Sequence, residues 1–199
     1  ALKKIGFEDM VEVGAGADMT ADAEAEEWLE AHAEGKKMTT SCCPAFVQMI
    51  KKHYPMLIDN ISTTISPMCA VSRMIKAKDP DAVTVFIGPC IAKKAETLDK
   101  EVEGNADYAL TYGEIRAMMR AKDVELEPEE NDSQQASVFG KRFGNGGGVT
   151  KAVLEAMQEK GADTSVFDVC VCDGADECKK ALLLLKLGKL SQDFVEGMA

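Results

Sequence analysis

The chain has no long apolar run. Its longest stretches, such as Ala181 to Leu185, are far too short to cross a bilayer, so membrane insertion is not expected. It opens without the apolar core of an export signal, which points to a cytoplasmic protein. Positive charge is scarce: 23 Lys and Arg stand against 34 Asp and Glu, a net charge of −11. Such a surface repels phosphate backbones and anionic lipid heads, so no nucleic acid is expected as a partner. Low-complexity tracts and fixed-period repeats are also absent. With 46% hydrophobic and 29% charged residues over 199 positions, the composition is that of a globular domain or two small lobes.

What the chain does have is seven cysteines. The number is odd and two are adjacent, which makes a disulfide framework a poor reading and metal or redox chemistry a better one. Short apolar runs alternate with amphipathic helical stretches. Strand character is read over Glu8–Val13, Lys37–Ser41, Ala82–Ile87, Tyr108–Leu110 and Ser165–Val171. Helices are expected over Ala21–Ala33, from Pro44 through His53, from Pro67 through Lys76, and over Tyr112–Ala121, Val149–Lys160 and Ala175–Lys186. Lys122–Ser137 reads as an acidic surface loop. This order predicts an α/β fold with a mainly parallel sheet flanked by helices. Ligands in such folds sit beyond the carboxyl ends of strands, and Cys42, Cys43 and Cys90 follow strands there.

Two motifs concentrate the chemistry. In Thr40-Ser41-Cys42-Cys43-Pro44, neighbouring side chains leave an extended chain in opposite directions. One thiolate can therefore serve a metal while the other is left for proton or redox work, and a helix N-terminus would lower a thiol's pKa. Two buried small residues at a strand end are the plain alternative. In Gly88-Pro89-Cys90-Ile91-Ala92-Lys93-Lys94-Ala95-Glu96, helical spacing puts Cys90, Lys93 and Glu96 on roughly one face. There the cation can stabilise an anionic cluster and the carboxylate can relay protons, unless Lys93 and Glu96 are an ordinary solvated pair.

Together these residues resemble the first two signatures of the [FeFe]-hydrogenase catalytic domain. The intervening Ser66-Pro67 and the tail Phe194-Val195-Glu196-Gly197-Met198-Ala199 fit as well. The resemblance covers essentially all of residues 1–199, read as part of the catalytic domain of the iron-hydrogenase large subunit. It implies a [4Fe–4S] cubane joined to a two-iron subcluster bearing CO and cyanide, with Cys43 and Cys90 as two cubane ligands. Cys42 would exchange protons beside the open iron, and Lys93 would hold a cyanide. Glu96 would join the catalytic groups, and Ser66, Pro67 and Met198 would lie against the cofactor. Glu24 and Glu27 would relay protons, with Ser62 bridging them.

The family's third signature supplies two further cysteines, and the chain stops one residue short of the first. Alone, it is expected to hold no cluster and to be inactive. For the parent protein the resemblance implies reversible proton reduction to H₂, with electrons from a ferredoxin or other carrier through accessory Fe–S domains. A sensory relative reporting H₂ or redox state, and a non-catalytic Fe–S relative, are the alternatives. Gly88, Met68-Cys69 and Ala45-Phe46 depart from the commoner Met, Gln-Gln and Gly-Trp, the mark of a divergent branch.

Other features take simpler readings. The glycines of Gly144-Asn145-Gly146-Gly147-Gly148 could cradle an anion but better suit close backbone approach. Cys170, Cys172 and Cys178 could bind a metal, though a structural role is favoured, and Cys69 reads as a core filler.

Overall fold

The computed structural model describes residues 1–127 and 135–199, so the middle of the expected Lys122–Ser137 loop lies outside the described residues. Helix α1 (Val13–Ala33) is followed by strand β1 (Met38–Thr39), helices α2 (Pro44–His53) and α3 (Pro67–Lys78), strand β2 (Val85–Gly88) and the short helix α4 (Ala92–Glu96). Strand β3 (Tyr108–Thr111) runs into α5 (Tyr112–Ala121); α6 (Val138–Arg142) and α7 (Gly148–Glu159) come next. Strand β4 (Val169–Asp173), helix α8 (Ala175–Lys186) and strand β5 (Phe194–Met198) complete the chain.

The architecture is α/β with parallel strands flanked by helices, as the alternation predicts, but the strands form two small sheets. One has the order β1-β5-β4; the other pairs β2 with β3, and every pairing is parallel. The last strand in sequence is thus the central strand of its sheet. Side chains alternate along β5, and each face meets a different core. Phe194 packs with Trp28, Ala25, Val153 and Met157 from α1 and α7. Val195 packs with Phe46, Ile50, Leu182 and Leu185 from α2 and α8. Helices on both faces leave the sheet buried, as parallel strands require.

Proline and N-cap signals located helix starts well. Pro44 and Pro67 stand at first helical positions, and Ser66 caps α3 by accepting from the Cys69 N–H. Thr111 and Glu114 close a reciprocal capping box on α5. Two readings are corrected. Glu8–Val13 is not a strand: residues 8–12 are irregular, and α1 begins at Val13, eight residues before the expected start. Its first turns hold small residues that fit against α3 and α6, and this close packing overrides the poor helix propensity of glycine. Ser165–Val171 also divides, into a 3₁₀ turn at Thr164–Val166 and β4 shifted two residues toward its carboxyl end.

The Trp28 and Phe194 rings stack with centroids 4.3 Å apart and an interplanar angle of 7°, both fully buried. Phe194→Ala is expected to cost about 3–5 kcal/mol, as a large core truncation does. Urea unfolding followed by fluorescence of Trp28, the sole tryptophan, measures it; a loss under about 1 kcal/mol would contradict this account of the core.

Candidate active site

The Cys42-Cys43 turn is placed by the backbone on either side of it. The Thr40 N–H donates to the Val195 carbonyl (3.0 Å), and the Gly197 N–H donates to the Thr40 hydroxyl (3.2 Å). β1 and β5 therefore hold the turn from below, while Cys43 is the N-cap residue of α2. Cys90 follows β2 and precedes α4, and like Cys42 and Cys43 it is partly exposed with no disulfide partner. Helices α2 and α4 pack together, which brings the two cysteine motifs to one place.

Lys93 joins them. Its ammonium donates to Glu96 Oε2 (2.6 Å) and to the carbonyl of Cys42 (3.3 Å). The Lys93 and Glu96 side chains are only 10% and 12% exposed, so this i,i+3 pair is not a solvated surface pair. Ser66 donates a short hydrogen bond to Glu96 Oε1 while capping α3. Both carboxylate oxygens are occupied, and the ammonium is aimed at the cysteine turn with its third N–H free of any partner among the described residues. Pro67 starts α3 directly after Ser66, and Met198, partly buried, ends β5.

Of the two α1 carboxylates, Glu27 is well bonded. It accepts from the Ser62 hydroxyl (2.6 Å), the Thr63 N–H and the Thr63 hydroxyl. Glu24 differs: it is fully buried, and neither oxygen has a hydrogen-bond partner. Ser62 therefore does not bridge the two. Its second contact is the Thr64 hydroxyl at 2.7 Å, which lies 3.3 Å from the Ser41 hydroxyl beside Cys42. Glu24 sits one turn before Glu27 on the buried stripe of α1, out of that ladder. Ser41, Ser62, Thr64, Ser66 and Glu96 all line one cleft of about 400 Å³.

Burial dominates the electrostatics. It pushes the Glu24 carboxyl from 4.5 up to about 8, helped by the nearby charges of Glu27 and Glu196. The Trp28 indole N–H pulls the other way but makes no hydrogen bond of ordinary geometry. Cys42 is partly exposed as a residue, yet its thiol is surrounded by protein. That burial, then the Glu24 charge, raise the thiol well above its usual range against the opposing pull of Lys93. The expected lowering by a helix N-terminus is thus reversed at Cys42, since desolvation is the larger effect.

Glu196 was given no role of its own by the sequence. Its carboxylate is buried and accepts from the Gly147 N–H (3.0 Å), the Thr150 N–H (2.8 Å) and the Thr150 hydroxyl (2.5 Å). The glycine-rich loop does cradle an anion, and the anion comes from the chain's own β5. Gly147, at φ +74°, turns its N–H toward it, a conformation that favours glycine. A glycine-rich turn before one helix and an acidic residue in an apolar strand were the available signals, but nothing in the sequence pairs them. Thr64 and Ser41 were missed for the same reason, because hydroxyls are common in loops.

The Glu24 shift fixes a pH dependence. In the folded protein Glu24 keeps its proton up to about pH 8, whereas the unfolded chain gives it up near 4.5. Its contribution is complete below pH 4.5 and is lost as pH rises through 8, about 1.4 kcal/mol for each unit of separation. Urea titrations of the chain and of Glu24→Gln across that window should show the wild type losing several kcal/mol relative to the variant. Parallel curves would overturn the assignment.

All 199 residues match the family model described as iron only hydrogenase large subunit, C-terminal domain. Iron hydrogenase 1 of Clostridium pasteurianum is 30% identical over 188 residues, covering 85% of this chain and 33% of the relative. The periplasmic [Fe] hydrogenase large subunit of Nitratidesulfovibrio vulgaris is 29% identical, over 100% of this chain and 58% of its own length. The chain thus spans between a third and three fifths of these relatives. Apo [FeFe]-hydrogenase HydA1 from Chlamydomonas reinhardtii superposes over all of the chain and 68% of its own, with TM-score 0.77 at 23% identity, a likeness of fold. With the match running from the first residue to the last, the chain belongs to the family of C-terminal domains of iron-only hydrogenase large subunits.

Proposed function

We propose that this chain forms the cofactor-holding part of an enzyme that interconverts protons, electrons and H₂, with electrons arriving through further iron–sulfur centres from a ferredoxin-type carrier. The observation that carries the reading is the buried Lys93 ammonium, held between Glu96 and the Cys42 carbonyl with one N–H free of a partner among the described residues. A buried cation beside the Cys42-Cys43 turn suits an anionic group and has little use in a plain core.

The donors fit an iron–sulfur cofactor in kind. Cys43 and Cys90 would hold two irons of a cubane, which takes four thiolates. Among the described residues no three His, Cys, Asp or Glu side chains are grouped to hold a metal ion; the resemblance implies that the other ligands would come from the family's third signature. When bound, the cofactor supplies electron storage and an open iron with CO and cyanide ligands.

The chain's own residues do the rest. Lys93 would donate to the cofactor, and Glu96 with Ser66 keeps its ammonium in place. Cys42, its thiol raised, carries a proton at neutral pH, and so does Glu24 with its carboxyl near 8. Glu24, titrating close to working pH, gives and regains protons readily. Glu27, bonded to Ser62 and Thr63 nearer the surface, is the outer station of the path. Pro67 at the start of α3 and Met198 at the end of β5 would lie against the cofactor. No helix among the described residues is long and apolar enough to cross a membrane, and seven unpaired cysteines support a reducing compartment such as the cytoplasm.

Two experiments test this. In the cofactor-loaded protein, Cys42→Ser should reduce H₂ turnover at least about 10²-fold while the CO and cyanide infrared bands persist. Unchanged H₂ production would remove Cys42 from the proton path. Anaerobic reconstitution of the 199-residue chain with iron and sulfide should leave fewer than four irons per chain. Four irons bound would overturn the need for ligands from a further motif.

A further inference from the structure

Four cysteines take no part in the site described above, and three of them, Cys170, Cys172 and Cys178, stand together. Alternation along β4 puts Cys170 and Cys172 on one face, with their sulfurs 3.7 Å apart. That face is the one α8 covers, and α8 brings Cys178 in its first turn into the same cluster as Cys172. Cys172 and Cys178 are buried; Cys170 is partly exposed. Thiols arranged from surface to core in this order, and not grouped as a metal cup, are placed for exchange with one another.

We propose that Cys170, Cys172 and Cys178 form a thiol relay that takes a small-molecule disulfide at Cys170 and stores its oxidation as a buried Cys172–Cys178 disulfide. Cys170 attacks the incoming disulfide, forming a mixed disulfide and releasing one thiol. Cys172 passes its proton to Cys178 and attacks Cys170, and the second small thiol leaves as a thiolate that takes up that proton. Cys178 then attacks Cys172, and Cys170 leaves as a thiol again. In sum, two protein thiols lose two electrons and two protons, and one external disulfide becomes two thiols.

The resting pair suits the last step. Cys178 is lowered from its ordinary range, chiefly by the neighbouring Cys172 thiol. Cys172 is raised by holding the shared proton and by burial. The thiolate is thus favoured on the sulfur that must attack. Cys172 also lies opposite Gly197 in the β4–β5 register, so the stored disulfide would sit directly behind the tip of β5.

The test is to incubate the anaerobically isolated chain with oxidised glutathione, quench with N-ethylmaleimide under denaturing conditions and map the peptides. The expected product is a Cys172–Cys178 linked peptide, two hydrogens lighter, with the buried Cys69 still alkylated. Cys170→Ser should slow its formation about tenfold or more, and Cys170→Ala should do the same if the serine variant folds poorly. Full alkylation of Cys172 and Cys178 after treatment, or formation at an unchanged rate in both variants, would overturn the relay. Neither outcome depends on a bound cofactor, so failure here leaves the hydrogenase reading untouched.

Discussion

Burying one strand on both faces is the constraint on which the rest depends. β5 is five residues long and lies between β1 and β4, so its backbone is committed on both sides and its side chains must satisfy two cores at once. Phe194 and Glu196 face α1 and α7; Val195 faces α2 and α8. From this follow the seating of Trp28, the anchoring of the cysteine turn through Thr40, and the only full charge on the strand. That charge is tolerated because two backbone N–H groups at the start of α7 and one threonine hydroxyl receive it.

Among the described residues the site sets buried groups of one sign against a single buried cation, Lys93. Glu24 and Glu196 lie close enough to Cys42 to act on it, and Lys93 is the one cation that opposes them there. With so little compensation, the protein keeps Glu24 and Cys42 neutral at moderate pH, which is cheaper than solvating them as anions in a dry interior. Proton affinity at this place is thus a product of packing, since water has been removed from groups that would otherwise ionise.

Much of this was legible in the sequence. Prolines at helix starts, the Ser66 cap and the three-residue spacing of Lys93 and Glu96 are local signals, and local signals survive folding. The order of strands is not local. The Phe194–Met198 tail stands out in the sequence only by its fit to the family, and tertiary pairing makes it the centre of a sheet. Glu196 meets Gly147 across 49 positions, and Thr64 meets Ser41 across 23. Glu24 was picked out by resemblance, but its isolation from Ser62 depends on how α1 rotates against the loop, which no spacing rule fixes.

The two halves of the site belong to different sheets. Cys42 and Cys43 follow a strand of the β1-β5-β4 sheet, whereas Cys90 and Lys93 follow β2 of the other. Among the described residues no backbone ladder joins the sheets, so the site is a seam, latched by side chains such as Lys93 reaching the Cys42 carbonyl. The separation between the two cysteine motifs can therefore adjust to what lies between them without breaking a single strand pairing.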